Sequence, residues 1–161
     1  MENDSLKGKI SAISISSKKG IPKTNVPAAR LIENFGIEGD AHAGNWHRQV
    51  SLLALESIER MKTLGLPLLK PGIFAENLTT RSLDLSKIKI GTRLKIGSNA
   101  EIEVTQIGKE CHARCAIYEK AGDCIMPKEG IFARVIRSGE IFIDDEILVL
   151  NGVYQTESGA K

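Results

Sequence analysis

Glycine and proline cut this chain into short segments rich in Ile, Val and Leu, most of which alternate or run for only about four to eight residues. That spacing predicts strands, because side chains two apart share one face of a pleated backbone. "KISAISIS" (9–16) places Ile10, Ile13 and Ile15 on a strand ended by "KKG". "TRLKIG" and "EIEVTQIG", separated by "SNA", read as a hairpin with Leu94 and Ile96 facing Ile102 and Val104. "IFARVIRSGE" and "DEILVL" supply two later strands, and "KIKIGTRLKIG" reads as strand, turn at Gly91, strand. One helix interrupts the pattern: in "ALESIERMKTLG", Leu55, Ile58, Met61 and Leu64 recur at three-residue steps, and Gly65 stands at a left-handed C-cap. Its expected place is against one side of the sheet, and "LPLLKPG" follows it as a proline-fixed connector. Short strands leave exposed edges unless they close on themselves. The expected fold class is therefore mainly β, barrel-like, with one or two short helices.

A chain of 161 residues supports one hydrophobic core, since domains cluster near ~100–150 residues. Residues 1–150 are expected to form a single domain, and the polar, small residues 151–161 a flexible tail. No apolar run approaches the ~20 residues that span a bilayer, and "MENDSLKGK" lacks a signal-peptide pattern, so a cytoplasmic protein is expected. The 22 Lys and Arg are scattered and the formal charge is only +2, which argues against nucleic acid as a partner. Aromatic residues, at 4%, also offer few stacking platforms.

All three cysteines lie in "GKECHARCAIYEKAGDCIMP" (108–127). An odd number of thiols in a reducing compartment is poorly explained by a disulfide framework. Cys111, His112, Cys115 and Cys124 have spacing that admits a zinc site. Lys109, His112 and Arg114 alternatively favour a thiolate suited to a soft metal or to transferred sulfur. Cys124 reads most simply as a small buried hydrophobe.

"FGIEGDAHAGNWHRQVSLL" (35–53) gathers Gly36, Gly39 and Gly44 with Asp40, His42, Trp46, His47 and Arg48. Glycines let backbone amides converge on an anion, with His42, His47 and Arg48 adding donors. A divalent metal on Asp40, His42 and His47 is the other chemistry available, and Asp40 also suits a plain turn, with Trp46 a core anchor. In "KPGIFAENLTTRSLDL", Glu76 and Asn77 are expected to order a loop by hydrogen bonds to backbone groups.

Taken in order, "GIEGDAHAGNWHRQVSLL", "KPGIFAENLTT", "LKIGSNAEIEVTQIGKECHARCAIY" and "GIFARVIRSGEI" resemble the MOSC domain family, related to the C-terminal domain of molybdenum cofactor sulfurase. The likeness covers roughly residues 7–150 and is nearest to compact stand-alone bacterial members. It implies a β-barrel and a role in handling sulfur or the molybdenum cofactor. It also implies that Cys115, ahead of "AIY", is the functional thiol, as molybdenum ligand or sulfur carrier; Cys111 and Cys124 are additions of this sequence, and Cys111 is expected to act as a resolving or second thiol. The family's loops matching "GDAHAG" and "FAENL" face one pocket, which makes Asp40, His42, Glu76 and Asn77 candidate pocket residues; Gly39, His47 and Arg48 of the glycine loop, and His112 and Arg114 beside Cys115, complete the candidate cofactor-binding set. "ECHARC" replaces a proline-containing run seen in many relatives, and Ala75 stands where "FGEN" has glycine. A sulfurtransferase-like activity and a pterin-type ligand follow from the resemblance, with cofactor-synthesis or sulfur-donor enzymes as partners. The pyridoxal phosphate domain of the larger fused members has no counterpart in this sequence. The alternative function is a non-catalytic zinc-stabilised, ligand-binding or adaptor module.

Overall fold

The computed structural model describes residues 7–19, 21, 23–63, 70–108 and 130–150. In chain order the elements are β1 (Lys7–Ile15), β2 (Thr24–Val26), β3 (Ala28–Ile32), β4 (Gly36–Ile37), β5 (Val50–Ala54), α1 (Leu55–Lys62) and β6 (Leu78–Arg81). A 3-10 turn (Leu85–Lys87) leads to β7 (Arg93–Ile96), β8 (Ala100–Ile107), β9 (Ile131–Arg137), β10 (Gly139–Phe142) and β11 (Glu146–Val149). Strands β1, β6, β5, β9, β8, β7 and β11 pair in that order, and β11 pairs back onto β1, closing a seven-stranded barrel. The mainly β, barrel-like fold expected from the alternation is the fold observed.

Alternation fills the barrel. In β8 every second residue from Ala100 to Val104 is buried, and in β7 Leu94 and Ile96 are buried while Lys95 is exposed. The "SNA" hairpin forms, and Leu94 lies opposite Ile102 as read, but Ile96 lies opposite Ala100 and not Val104, whose amide donates to the Thr92 carbonyl. These residues share one core with Ile10, Ile13, Leu52, Leu78 and Ile147. Strand β5 departs from alternation because both faces are covered: Val50 and Leu52 join that core, and α1 lies against β5 and β6 with Ile58 and Met61 buried. The pair β5–β6 runs parallel, unlike the other barrel pairs, and α1 lies in the crossover that a parallel pair requires. The helix ends at Thr63, whose amide and hydroxyl both donate to the Arg60 carbonyl; the expected cap at Gly65 lies outside the described residues.

The first part of "KIKIGTRLKIG" is not a full strand: Lys87 ends the 3-10 turn, which the Asp84 side chain caps by accepting from the Ser86 amide, and Ile88 makes only a single β-bridge before the turn at Gly91. That turn forms, with φ of 97° at Gly91. A second sheet, β10-β3-β4, stands beside the barrel and contributes Leu31, Ile37 and Ile141 to the same core. It fixes the base of the loop that follows β4. Residues 151–161, read as a tail, lie outside the described residues.

Candidate functional site

The loop after β4 is built around one carboxylate. Asp40 has a fully buried side chain whose Oδ1 accepts from Lys23 Nζ at 2.8 Å and from the Ser16 amide at 3.1 Å. Its Oδ2 accepts from the His42 amide at 3.0 Å. Lys23 is equally buried, and its Nζ also reaches Ser16 Oγ at 3.1 Å and His42 Nδ1 at 3.0 Å. Glycines allow the winding, with φ of 126° at Gly36 and 88° at Gly39. Glycine spacing raised the expectation of amides converging on a bound anion, but the amides of Asp40, Ala41, His42, Ala43 and Gly44 are all engaged within the protein. Donors do converge on an anion here, and it is the chain's own Asp40.

Glu76 and Asn77 organise the neighbouring turn, as expected of a Glu-Asn pair. Glu76 Oε2 accepts from the Gly72 amide at 2.7 Å and Thr79 Oγ1 at 2.9 Å, and Oε1 from the Phe74 amide at 3.2 Å. Asn77 Oδ1 accepts from the Ser51 amide at 2.9 Å while its Nδ2 donates to the Ser14 carbonyl at 3.1 Å, stitching β5 to β1. The Gly72 carbonyl then accepts from the Lys23 amide at 2.8 Å. A chain of bonds thus runs from Glu76 through Gly72 and Lys23 to Asp40 and His42. Lys23 is the residue that sequence reading missed. "IPKTNV" gives no periodic sign that its lysine is buried, since such a charge is placed by its partner and not by hydropathy.

Trp46, His47 and Arg48 form the outer edge of the loop. Trp46 is half-buried and so is not the core anchor expected; its Nε1 donates to the His42 carbonyl at 2.8 Å. Lys19 Nζ and Arg48 Cζ each lie 4.8 Å from its ring centroid, and Arg48 also lies 5.5 Å from that of Phe132. His47 Nε2 is 2.8 Å from Gln106 Oε1, and its carbonyl accepts from Thr105 Oγ1. Gln106 in turn donates to the Gly108 carbonyl at 2.7 Å, and the Gly108 amide donates to the Gly130 carbonyl at 2.7 Å. Residues 109–129 connect these two adjoining ends, so Cys111, His112, Arg114, Cys115 and Cys124 fall outside the described residues. Among the described residues no group of three His, Cys, Asp and Glu side chains is placed to hold a metal. Asp40, His42 and His47 do not form the triad considered for a divalent ion: Lys23 neutralises the carboxylate and His47 is turned to Gln106.

The two buried carboxyls titrate in opposite directions. Burial pushes the Asp40 pKa up, but the hydrogen bond and charge of Lys23, with the amides of His42 and Ser16, outweigh burial and leave it below the usual 3.8. Its contribution to stability is present above that value and lost as pH falls through the lower folded-state value. Burial dominates at Glu76 and raises its pKa above 4.5, against the donors of Gly72, Thr79 and Phe74. Its contribution is fully present below 4.5 and lost as pH rises through the folded-state value. The stability difference between wild type and Glu76→Gln, measured by urea unfolding, is therefore expected to shrink as pH rises from about 4 upward. A difference that grows with pH would contradict the raised value.

The sequence profile of the MOSC domain matches residues 38–148. The chain belongs to the MOSC domain family. Its barrel is similar to that of the YuaD protein from Bacillus subtilis, with a TM-score of 0.76 and 20% identity over 89% of this chain and 96% of that one. YiiM from Geobacillus stearothermophilus gives 0.67 and 18% over 91% of this chain and 77% of that one. YiiM from Escherichia coli gives 0.64 and 20% over 90% and 71%. At these identities the likeness is one of fold. No curated protein matches the sequence. The MOSC family is associated with molybdenum cofactor-related proteins. Among the described residues of this MOSC protein, no helix is long and apolar enough to cross a membrane.

Proposed function

We propose that this MOSC protein binds the molybdenum cofactor or a related pterin phosphate and receives, carries or coordinates sulfur through Cys115. The observation that carries this reading is the tie from His47 through Gln106 to Gly108, which sets the cationic edge of the glycine loop beside the root of the segment bearing Cys111 and Cys115. The donor set suits an anionic ligand. Among the described residues, Arg48 Nε is buried with no hydrogen-bond partner, an orphan donor that a ligand acceptor would satisfy. Lys19 and Trp46 flank it with a second positive charge and a flat aromatic face.

In this reading Arg48, His47 and Lys19 bind the phosphate end, and His42 contributes a hydrogen bond from the same loop. Gly39, Asp40, Glu76 and Asn77 shape the site from behind. His112 and Arg114 hold Cys115 as thiolate, the form that attacks sulfur and binds metal. Sulfur is received when this thiolate attacks the terminal sulfur of a donor cysteine persulfide: the new S–S bond forms as the donor's S–S bond breaks, and the donor leaves as thiolate. Cys111 is the second thiol, positioned in sequence to resolve that persulfide. The bound cofactor would supply a molybdenum centre able to accept a thiolate or a sulfur ligand.

Mass spectrometry of freshly purified protein is expected to find a persulfide on Cys115 or a co-purifying pterin, and Cys115→Ala to abolish it. Loss in Cys111→Ala with retention in Cys115→Ala would reverse the assignment. Stoichiometric zinc whose removal unfolds the protein would replace it with a structural metal site.

A further inference from the structure

Lys23 carries three N–H bonds, and three acceptors surround it: Asp40 Oδ1 at 2.8 Å, Ser16 Oγ at 3.1 Å and His42 Nδ1 at 3.0 Å. Ser16 Oγ gives its own proton to the Lys18 carbonyl at 2.9 Å, so toward Lys23 it can only accept. An ammonium has no lone pair, so His42 Nδ1 must also accept, which places the proton of the neutral imidazole on Nε2. The other arrangement has Nδ1–H donating to Asp40 Oδ2. That oxygen is 3.8 Å away, beyond hydrogen-bond reach, and it already accepts from the His42 amide. The imidazole is held further by its own backbone, whose carbonyl accepts from Trp46 Nε1.

We propose that Lys23 is a positioning residue that locks His42 in the Nε2–H tautomer, making His42 a fixed hydrogen-bond donor. Such a donor favours acceptors: an oxyanion, a carbonyl oxygen or a thiolate. It cannot bind a metal through Nδ1 while Lys23 occupies that nitrogen. The ligand preference rests on the function proposed above, whereas the tautomer does not.

Long-range proton–nitrogen correlation spectra of the full-length, ligand-free protein test the assignment, with the His42 signals identified by their loss in His42→Gln. The expected pattern is an unprotonated Nδ1 and a protonated Nε2. In Lys23→Met, if folded, that pattern gives way to a mixture of tautomers or to Nδ1–H. A proton on Nδ1 in the wild type would overturn the proposal without recourse to any variant. So would an unchanged pattern in folded Lys23→Met. These results are read without ligand, so they stand apart from the cysteine experiments that decide the function itself.

Discussion

Asp40→Asn is expected to lower the unfolding free energy by about 3–5 kcal/mol, the usual penalty for removing one partner of a buried ion pair and leaving the other uncompensated. Both side chains of the Asp40–Lys23 pair are fully buried, so neither charge can turn to water when its partner is lost. Lys23→Met is expected to cost a similar amount from the other side, since Asp40 keeps only the Ser16 and His42 amides. The double variant removes both charges and is expected to lose clearly less than the two single losses added together. Urea midpoints at unchanged slope measure all three. Strictly additive losses would mean that the pair is not coupled and that Lys23 is held by something else.

Gly72→Ala is expected to cost about 2–5 kcal/mol, because two separate penalties coincide. The residue sits at φ of +94°, a region that side chains disfavour, and an added Cβ would stand 2.5 Å from the Lys23 carbonyl and 3.0 Å from Ser14 Oγ. Gly39→Ala supplies the comparison. It has a similar φ of +88°, but its nearest neighbour is Ile15 Cδ1 at 3.9 Å, so only the backbone penalty of about 1–2 kcal/mol applies. Thermal unfolding of the two variants side by side is decisive: equal shifts would show that the approach of Gly72 to Lys23 is not tight. The push on the Lys23 backbone is also expected to disturb its contacts with Asp40 and His42, which the His42 spectra would register.

The strands were legible because a barrel interior imposes a period of two, and Leu94, Ile96, Ile102 and Val104 obey it. Strand β5 is apolar on both faces, so its periodicity carried no direction; the parallel partner β6 depends on α1 and is written in no local pattern. The candidate loop was visible through its unusual density of glycine, histidine and tryptophan. Its wiring was not, because hydrogen bonds such as Asn77 to Ser14, or Lys23 to Asp40, join residues far apart in sequence. Composition marks where polar groups collect, whereas their partners are chosen by the closure of the barrel.

That closure has a consequence for how the molecule is made. Strand β1 is bordered by β6, β2 and β11, with Lys7 opposite Leu148 and Lys9 opposite Glu146. During synthesis the first of these strands therefore waits for nearly the whole chain before its last edge is paired. Contacts of such long sequence separation are slow to form, and an edge left open in the meantime can recruit a strand from another chain. The charges of Lys7, Lys9 and Glu146 lie along that seam and discourage such wrong pairing until the ring closes.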